Sequence, residues 1–310
     1  MANITAKDVA ALRAKTGCGM MECKKALVEA EGNMDEAVKV LRERGLAVAA
    51  KKADRIAAEG IVDILVQDDT AAIIEVNSET DFVGKNEAFR AFVAGILRTI
   101  LRDEPKDLAA LQACKFDDTN DTVEAKMKDM IFTIGENMSI RRFDIVRGEL
   151  STYIHGKGSI GVIVAFDADE AAKKAEGFAE MKKNVALHVA AVSAVPYLSR
   201  ESVPASVVSE EMEILKAQMA NDPKFANKPA AAIEKIVQGK LGKFYETNCL
   251  LEQEYVKAEN KENVAQYIAN ASKEFGGSIS IRSFIRYEKG EGLQKREEDF
   301  AAEIEKMVKG

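Results

Sequence analysis

Tryptophan is absent from the 310-residue chain, aromatics make up 6% of it, and only two histidines occur, His155 and His188. Two histidines cannot build a histidine-rich metal site, and with so few rings a core must be filled by Ala, Val, Ile, Leu and Met. The four cysteines, Cys18, Cys23, Cys114 and Cys249, are too few and too scattered for a disulfide framework. Cys18 and Cys23 match neither a C-x-x-C redox pair nor a zinc-knuckle spacing, so free thiols in a reducing compartment are expected. No apolar run approaches the roughly 18 residues of a membrane span, and Met1 to Thr5 holds no basic stretch leading into an apolar one. A cytoplasmic chain without a membrane partner is the expectation. The phosphate loop G-x-x-x-x-G-K-[ST], a G-x-G-x-x-G after a strand, H-E-x-x-H and G-x-S-x-G are all missing. Covalent catalysis has no visible machinery, and neither cofactor nor metal is expected. The 51 acids outnumber the 44 Lys and Arg, giving a formal charge of −7, which argues against direct nucleic-acid binding. Residues 1–55 alone carry 11 Lys and Arg against 8 Asp and Glu, a lean toward an acidic partner surface.

What is present is 47% hydrophobic residues in patterned blocks. Residues 1–45 read as three short helices. Thr5 and Asp8 form a capping-box pattern, Thr16-Gly17-Cys18-Gly19 breaks the chain, and Met20, Cys23, Leu27 and Ala30 recur at helical spacing. Asn33 and Glu36 cap the third helix, Gly45 is its expected stop, and Leu46 to Arg55 is a helix-forming connector. From Gly60 the period changes to that of a hairpin, Ile61 to Val66 and Ala71 to Val76, followed by a loop from Asn77 to Lys85. Asn86 opens a helix with Phe89, Phe92, Val93, Ile96 and Leu97 on one face. A second helix spans about Val123–Ile134 and a strand follows in Ser139 to Val146.

The plan then recurs: a hairpin from Leu150 to His155 and Ile160 to Phe166 around Gly156-Lys157-Gly158, a helix from Ala175 to about Val195, and Ser280-Ile281-Arg282-Ser283-Phe284 echoing Ser139-Ile140-Arg141-Arg142-Phe143. This suggests an internal duplication: an α+β fold with two related subdomains, each a small antiparallel sheet covered by helices. Between the second hairpin and its closing strand, Pro196, Pro204, Pro223 and Pro229 punctuate a helical insertion that reads as a two-helix arm. A charged helix from about Lys295 to Val308, with Phe300, Ile304 and Val308, closes the chain. His188, on an apolar helix face, reads as a core histidine. His155, at a hairpin tip, is either a turn residue or an exposed contact. Phe82, in a polar loop beside a helix start, either packs inward as a staple or stands exposed.

Two strings are specific. Asn77-Ser78-Glu79-Thr80-Asp81-Phe82-Val83 resembles the T-D-F-V signature of the elongation factor Ts family, and Thr16-Gly17-Cys18-Gly19-Met20-Met21-Glu22-Cys23-Lys24-Lys25-Ala26-Leu27 is similar to that family's T-G-x-G-M-M-x-C-K-K-A-L. Glu136 to Arg142, His155-Gly156, Ala186 to Ala191 and Phe284 to Glu288 agree in the same order. Gly84 stands where many members carry Ala, a departure expected to be harmless, and residues 197–260 match loosely.

The resemblance implies a ubiquitin-associated-like N-terminal domain with its connector (1–55), a core subdomain (56–147), a second (148–290) with the arm at 197–260, and a C-terminal helical module (291–310). It implies a guanine-nucleotide exchange factor that binds GDP-bound elongation factor Tu, with Thr80, Asp81, Phe82 and Val83 intruding near the partner's magnesium. Arg13, Met20, Met21 and Lys24 would dock on the partner's nucleotide-binding domain, and His155, Tyr255 and Val256 would meet another of its domains. A homodimer through the second core subdomain or the arm is a further expectation. The rival readings are an adaptor that binds without altering a nucleotide and a thiol enzyme using Cys18 or Cys23.

Overall fold

The computed structural model describes residues 4–192, 195–222, 224 and 229–294. The expected helix from Lys295 to Val308, and the bend at Pro223, lie outside them. The fold is α+β, with two three-stranded antiparallel sheets.

The N-terminal bundle comprises α1 (Ala6–Thr16), α2 (Met20–Glu29) and α3 (Met34–Lys52). The capping box forms as read: the Thr5 N–H donates to Asp8 Oδ2 at 2.9 Å, and the Asp8 N–H to Thr5 Oγ1 at 3.3 Å. Gly17 adopts φ +70°, the left-handed turn that lets its N–H reach the Arg13 carbonyl and end α1. Leu12, Cys23, Ala26, Leu27 and Ala37 are fully buried between the helices.

Gly45 does not stop α3. It lies inside the helix, buried, and its missing Cβ admits the Phe132 side chain, which a Cβ there would meet at 3.4 Å. The strong helix formers of Leu46 to Lys52 carry α3 on to the basic last turn that suits a helix C-terminus. Lys52 Nζ donates to the Gly135 carbonyl, and Arg42 holds Asp121 at 3.0 Å.

The first sheet pairs β1 (Glu59–Gln67) with β2 (Thr70–Ser78) in antiparallel register, Glu59 opposite Ser78 and Gln67 opposite Thr70. Asp68 takes positive φ in the two-residue turn. Beyond β2 come α4 (Asp81–Lys85), α5 (Glu87–Asp103), α6 (Leu108–Ala113), α7 (Val123–Ile134) and β3 (Met138–Arg147), which completes the order β1-β2-β3. Phe89, Phe92, Val93, Ile96 and Leu97, the face read from the sequence, join Ile74, Val76 and Leu111 in one core. The segment from Asn77 to Lys85 is not a loop throughout. Its first two residues belong to β2, and Asp81–Lys85 is a helical turn.

The second sheet has the order β4-β5-β6, from β4 (Glu149–His155), β5 (Ile160–Ala168) and, at the far end of the sequence, β6 (Ile279–Glu288). Each sheet is thus a hairpin plus a closing strand that carries the S-I-R echo, with Ile140 and Ile281 both buried. Between β5 and β6 lie α8 (Glu170–Lys173), α9 (Phe178–Ala191), α10 (Ala205–Ala220), α11 (Ala230–Asn248) and α12 (Val264–Phe275). The helix expected from Ala175 to Val195 is shorter, because Asp169 caps a separate turn upstream and Val192 is already extended. Helices α10 and α11 share their own core of Leu215, Met219, Val237 and Leu241.

The chain forms two compact units. One holds residues 1–146, 154–161 and 287–310, and the other holds 147–153 and 162–286.

Candidate functional site

The segment Thr80–Val83 follows the last residues of β2 and is fixed at both ends. The Thr80 N–H donates to Glu136 Oε2 at 2.9 Å and its hydroxyl to Oε1 at 2.7 Å, so one carboxylate holds both donors. The reverse crossing is also made. Glu79 Oε1 accepts the Asn137 N–H at 2.6 Å, while the Asn137 amide donates to the carbonyls of Ala53 and Arg55. Ser78 Oγ donates to the Thr80 carbonyl at 2.9 Å. Downstream, Val83 is 3% exposed, and a Cβ on Gly84 would lie 2.8 Å from the Gly60 carbonyl oxygen and 3.1 Å from Ile61 Cγ2. Glycine therefore lets the backbone of α4 lie against β1. The departure at Gly84 is not neutral here, since Ala would force β1 to yield.

Between these anchors Phe82 is 74% exposed, so the inward staple is not what forms. Asp81 pairs with Lys85 at 2.5 Å, one helical turn on, and Lys85 Nζ sits 5.4 Å from the Phe82 ring centroid. The hydrogen bond from Lys85 holds the Asp81 carboxyl below its ordinary range, so an ionised acid stands beside an exposed ring. Sequence reasoning passed over Glu79, Glu136 and Lys85. The signal for the first two lay in their motifs, which the fold brings face to face.

Arg13 is exposed in the last turn of α1. Met20 (58% exposed), Met21 (63%) and Lys24 lie along the outer side of α2, opposite the buried Cys23, Ala26 and Leu27. Val28, four residues past Lys24, extends that apolar strip and was not anticipated, although its i+4 spacing from Lys24 was visible. Met side chains are suited to such a surface because they adapt their shape.

His155 is exposed at the end of β4. The turn after it is fixed, with the Gly158 carbonyl accepting the Val62 N–H at 2.8 Å and the Lys157 carbonyl accepting Arg90 Nη2 at 2.8 Å. In the other unit, Tyr255 and Val256 differ: Val256 is half exposed, whereas the Tyr255 ring is buried and stacks on Tyr267 with centroids 4.1 Å apart. His188, fully buried, accepts the Val256 N–H at Nδ1 (3.1 Å) and faces Gln253 Oε1 through Nε2 (3.3 Å). An accepting Nδ1 and a donating Nε2 define a neutral imidazole, and burial holds its pKa below the ordinary histidine value. It is the core histidine expected.

A second polar centre in the first unit was not foreseen. Glu75 is fully buried, yet its carboxylate accepts Arg142 Nε at 2.7 Å, the Gly290 N–H at 2.8 Å, Arg141 Nη1 at 3.0 Å and the Asn77 amide at 3.1 Å. Arg142 also lies over the Tyr287 ring, 4.0 Å from its centroid, and the Tyr287 hydroxyl donates to Asp144. Burial alone would raise the Glu75 carboxyl, but these donors outweigh it and hold it below its ordinary value.

Cys18 and Cys23 are buried, their thiols donate to the Thr16 and Cys18 carbonyls, and burial raises the Cys18 pKa. That arrangement opposes a reactive thiolate. Among the described residues no group of three or more His, Cys, Asp or Glu is placed to hold a metal, and no helix is long and apolar enough to cross a membrane.

Residues 79–291 match the family model described as "Elongation factor TS". Over nearly the full length of both chains, the protein is 43% identical to elongation factor Ts of Syntrophotalea carbinolica (309 residues, 99% of each chain). It is 46% identical to that of Nautilia profundicola (310 residues, 98% of each) and 44% to that of Clostridioides difficile (313 residues, all of each). The chain therefore belongs to the elongation factor Ts family, and its role lies in translation elongation.

Proposed function

We propose that this chain is the guanine-nucleotide exchange factor for elongation factor Tu, binding the GDP-bound partner and promoting release of GDP so that GTP can enter. It performs no covalent step. Bound GDP is held by backbone groups around its phosphates and by a magnesium ion that neutralises their charge, so dislodging the ion removes much of the binding energy. Phe82 is the wedge, moving a packed element of the partner between two arrangements, and Asp81 disturbs the surroundings of the metal. Linkage makes the effect mutual: the factor weakens nucleotide binding by the ratio in which nucleotide weakens factor binding.

The observation that carries this reading is the contrast within one helical turn, where Phe82 is 74% exposed while Val83 is buried and Thr80 is tied down by Glu136. A rigidly supported, exposed aromatic loses little entropy on insertion. Arg13, Met20, Met21 and Lys24 dock on the partner's nucleotide-binding domain. His155 and Val256 meet a second partner domain, with Tyr255 acting from beneath Val256. The N-terminal domain (1–55), the two core subdomains (56–147 and 148–290) and the C-terminal module (291–310) divide this work, and self-association runs through the second subdomain or the arm.

The test is release of fluorescent GDP from elongation factor Tu with a saturating amount of chain. Phe82→Ala should cut the stimulated rate at least about tenfold, the scale on which a central interface aromatic acts. A Phe82→Ala chain that stimulates release as well as the parent would reject the wedge.

A further inference from the structure

Asn184 and His188 stand four positions apart in α9, so the helix sets them on one face. His188 is the only polar side chain among the buried positions of that helix. A buried polar ring is costly unless it is hydrogen-bonded, and what His188 bonds to is a turn.

That turn runs from Tyr255 to Ala258. The Ala258 N–H closes it on the Tyr255 carbonyl at 2.8 Å, and the Tyr255 N–H ties it to the Glu262 carbonyl at 2.9 Å. Neither bond uses the N–H of Val256. A backbone donor turned toward the interior needs an acceptor, and His188 Nδ1 supplies it at 3.1 Å. Gln253 Oε1, 3.3 Å from Nε2, takes the ring's own proton and so fixes which nitrogen accepts. Asn184 holds the next residue: its Oδ1 accepts Lys257 Nζ at 2.8 Å, while its amide donates to the Tyr267 hydroxyl at 3.3 Å. Tyr267 in turn stacks on the Tyr255 ring. Three consecutive residues, 255 to 257, are thus gripped from α9 and α12, and the half-exposed Val256 side chain is left at the tip.

We propose that His188 and Asn184 are positioning residues for nucleotide exchange, resting on the reading that Val256 meets a domain of elongation factor Tu. Through the Val256 N–H and the Lys257 ammonium they hold the turn in the one shape that offers Val256 to the partner. His188, fully buried, acts only through this turn. A turn free to open spreads over many shapes, and only the fraction in the right one binds. Losing the clamp therefore lowers apparent affinity and leaves the rate at saturation unchanged. An aliphatic side chain would fill the space of the imidazole but leave the Val256 N–H buried without an acceptor, which is more costly than the loss of an exposed bond.

Two measurements test this: release of fluorescent GDP from elongation factor Tu, titrated with full-length variants, and hydrogen exchange of the Val256 amide in the free chain, followed by NMR. His188→Leu should raise the half-saturating concentration at least about fivefold at an unchanged plateau, and should speed exchange of that amide by a similar factor. His188→Asn, which carries an acceptor oxygen on Cγ where the ring carries Nδ1, should bring both back to within about twofold of the parent. Asn184→Ala reads the same clamp from a half-buried position, where the fold is not at stake, and should raise half-saturation about two- to threefold. Val256→Asp tests the underlying contact and should raise half-saturation whatever holds the turn. If it does so while His188→Leu and Asn184→Ala do not, the clamp is overturned and the contact stands. The clamp is equally overturned if His188→Asn behaves as His188→Leu does, or if the Val256 amide exchanges as fast in the parent as in His188→Leu. If Val256→Asp and His188→Leu both leave half-saturation unchanged, Val256 does not meet the partner, and the contact falls together with the role given to the clamp.

Discussion

Replacing Glu136 by Ala removes the acceptor of both Thr80 donors while leaving Phe82, Asp81 and Val83 untouched. Hydrogen bonds to a charged group contribute about 1.5–3 kcal/mol each when well shielded. Thr80 and Glu136 are both only partly buried, so water compensates in part, and about 1–2 kcal/mol for the pair is the reasonable magnitude. Val83 in the core and the Ser78 hydroxyl on the Thr80 carbonyl still hold the segment loosely, so it is not melted. Its presenting conformer instead falls to roughly a tenth of its population, since about 1.4 kcal/mol is a factor of ten. A binding-competent fraction of one tenth raises the apparent dissociation constant tenfold without altering what the bound segment does. In the GDP-release assay the concentration of chain giving half-maximal stimulation should therefore rise about 5- to 20-fold, with the plateau rate preserved. Phe82→Ala should do the opposite and lower the plateau. Thr80→Ser, which retains both donors, should resemble the parent. An unchanged half-maximal concentration for Glu136→Ala, or a lowered plateau at unchanged half-saturation, would refute the clamp.

Glu75→Gln breaks a buried, multiply donated carboxylate and should cost about 3–5 kcal/mol in urea unfolding, because Arg141 loses its carboxylate partner and Arg142 is left with Glu291 alone. The folded-state pKa of Glu75 lies below its reference value of 4.5, so its stabilisation is whole above pH 4.5 and fades as the pH falls below it. Unfolding midpoints of the parent should drop more steeply across that acid range than those of Glu75→Gln. His188 acts in a higher window. Its folded pKa lies below the reference of 6.5, so the unfolded chain takes up a proton that the folded chain resists, and stability should decline as the pH falls through 6.5. His188→Asn should flatten that limb between about pH 7 and 5.5. Two glycine substitutions should separate by sign under thermal unfolding. Gly45→Ala, where Phe132 is 3.4 Å away, should be neutral or stabilise by up to about 1 kcal/mol through helix propensity. Gly95→Ala, where a Cβ would fall 2.3 Å from Phe116 Cζ, should destabilise by about 1–3 kcal/mol.

Periodicity reported the fold where one element met one core. The α5 face was readable because Phe89 to Leu97 bury against a single sheet, and the two closing strands were readable from a repeated string. Reading failed where a residue's meaning depended on its neighbour across space. Gly45 looks like a helix stop in sequence, and nothing in its own stretch shows that α3 runs on through it with Phe132, 87 positions away, packed over the site. α6 and α12 were not singled out, although Asp107 and the Asn263–Gln266 capping box announce them, because both are short helices beside longer ones.

The candidate site divides along the same line. Phe82 and its neighbours were named from a motif, yet the motif gives no reason for the ring to stay outside. The reason is distributed over Glu136, Asn137, Gly60 and Gly84, which come from separate stretches of sequence and meet only in the fold. An exposed aromatic in a free loop collapses onto the nearest apolar surface, since burial is favourable and the loop can bend. Here it cannot bend, because Thr80 is held on one side and Val83 is committed to the core on the other, with only one residue between Asp81 and Val83 to adjust. The exposure of Phe82 is thus a consequence of what surrounds it. Mutations at Glu136 or Gly84, which leave the ring itself intact, should weaken its presentation in proportion to the freedom they return to the segment.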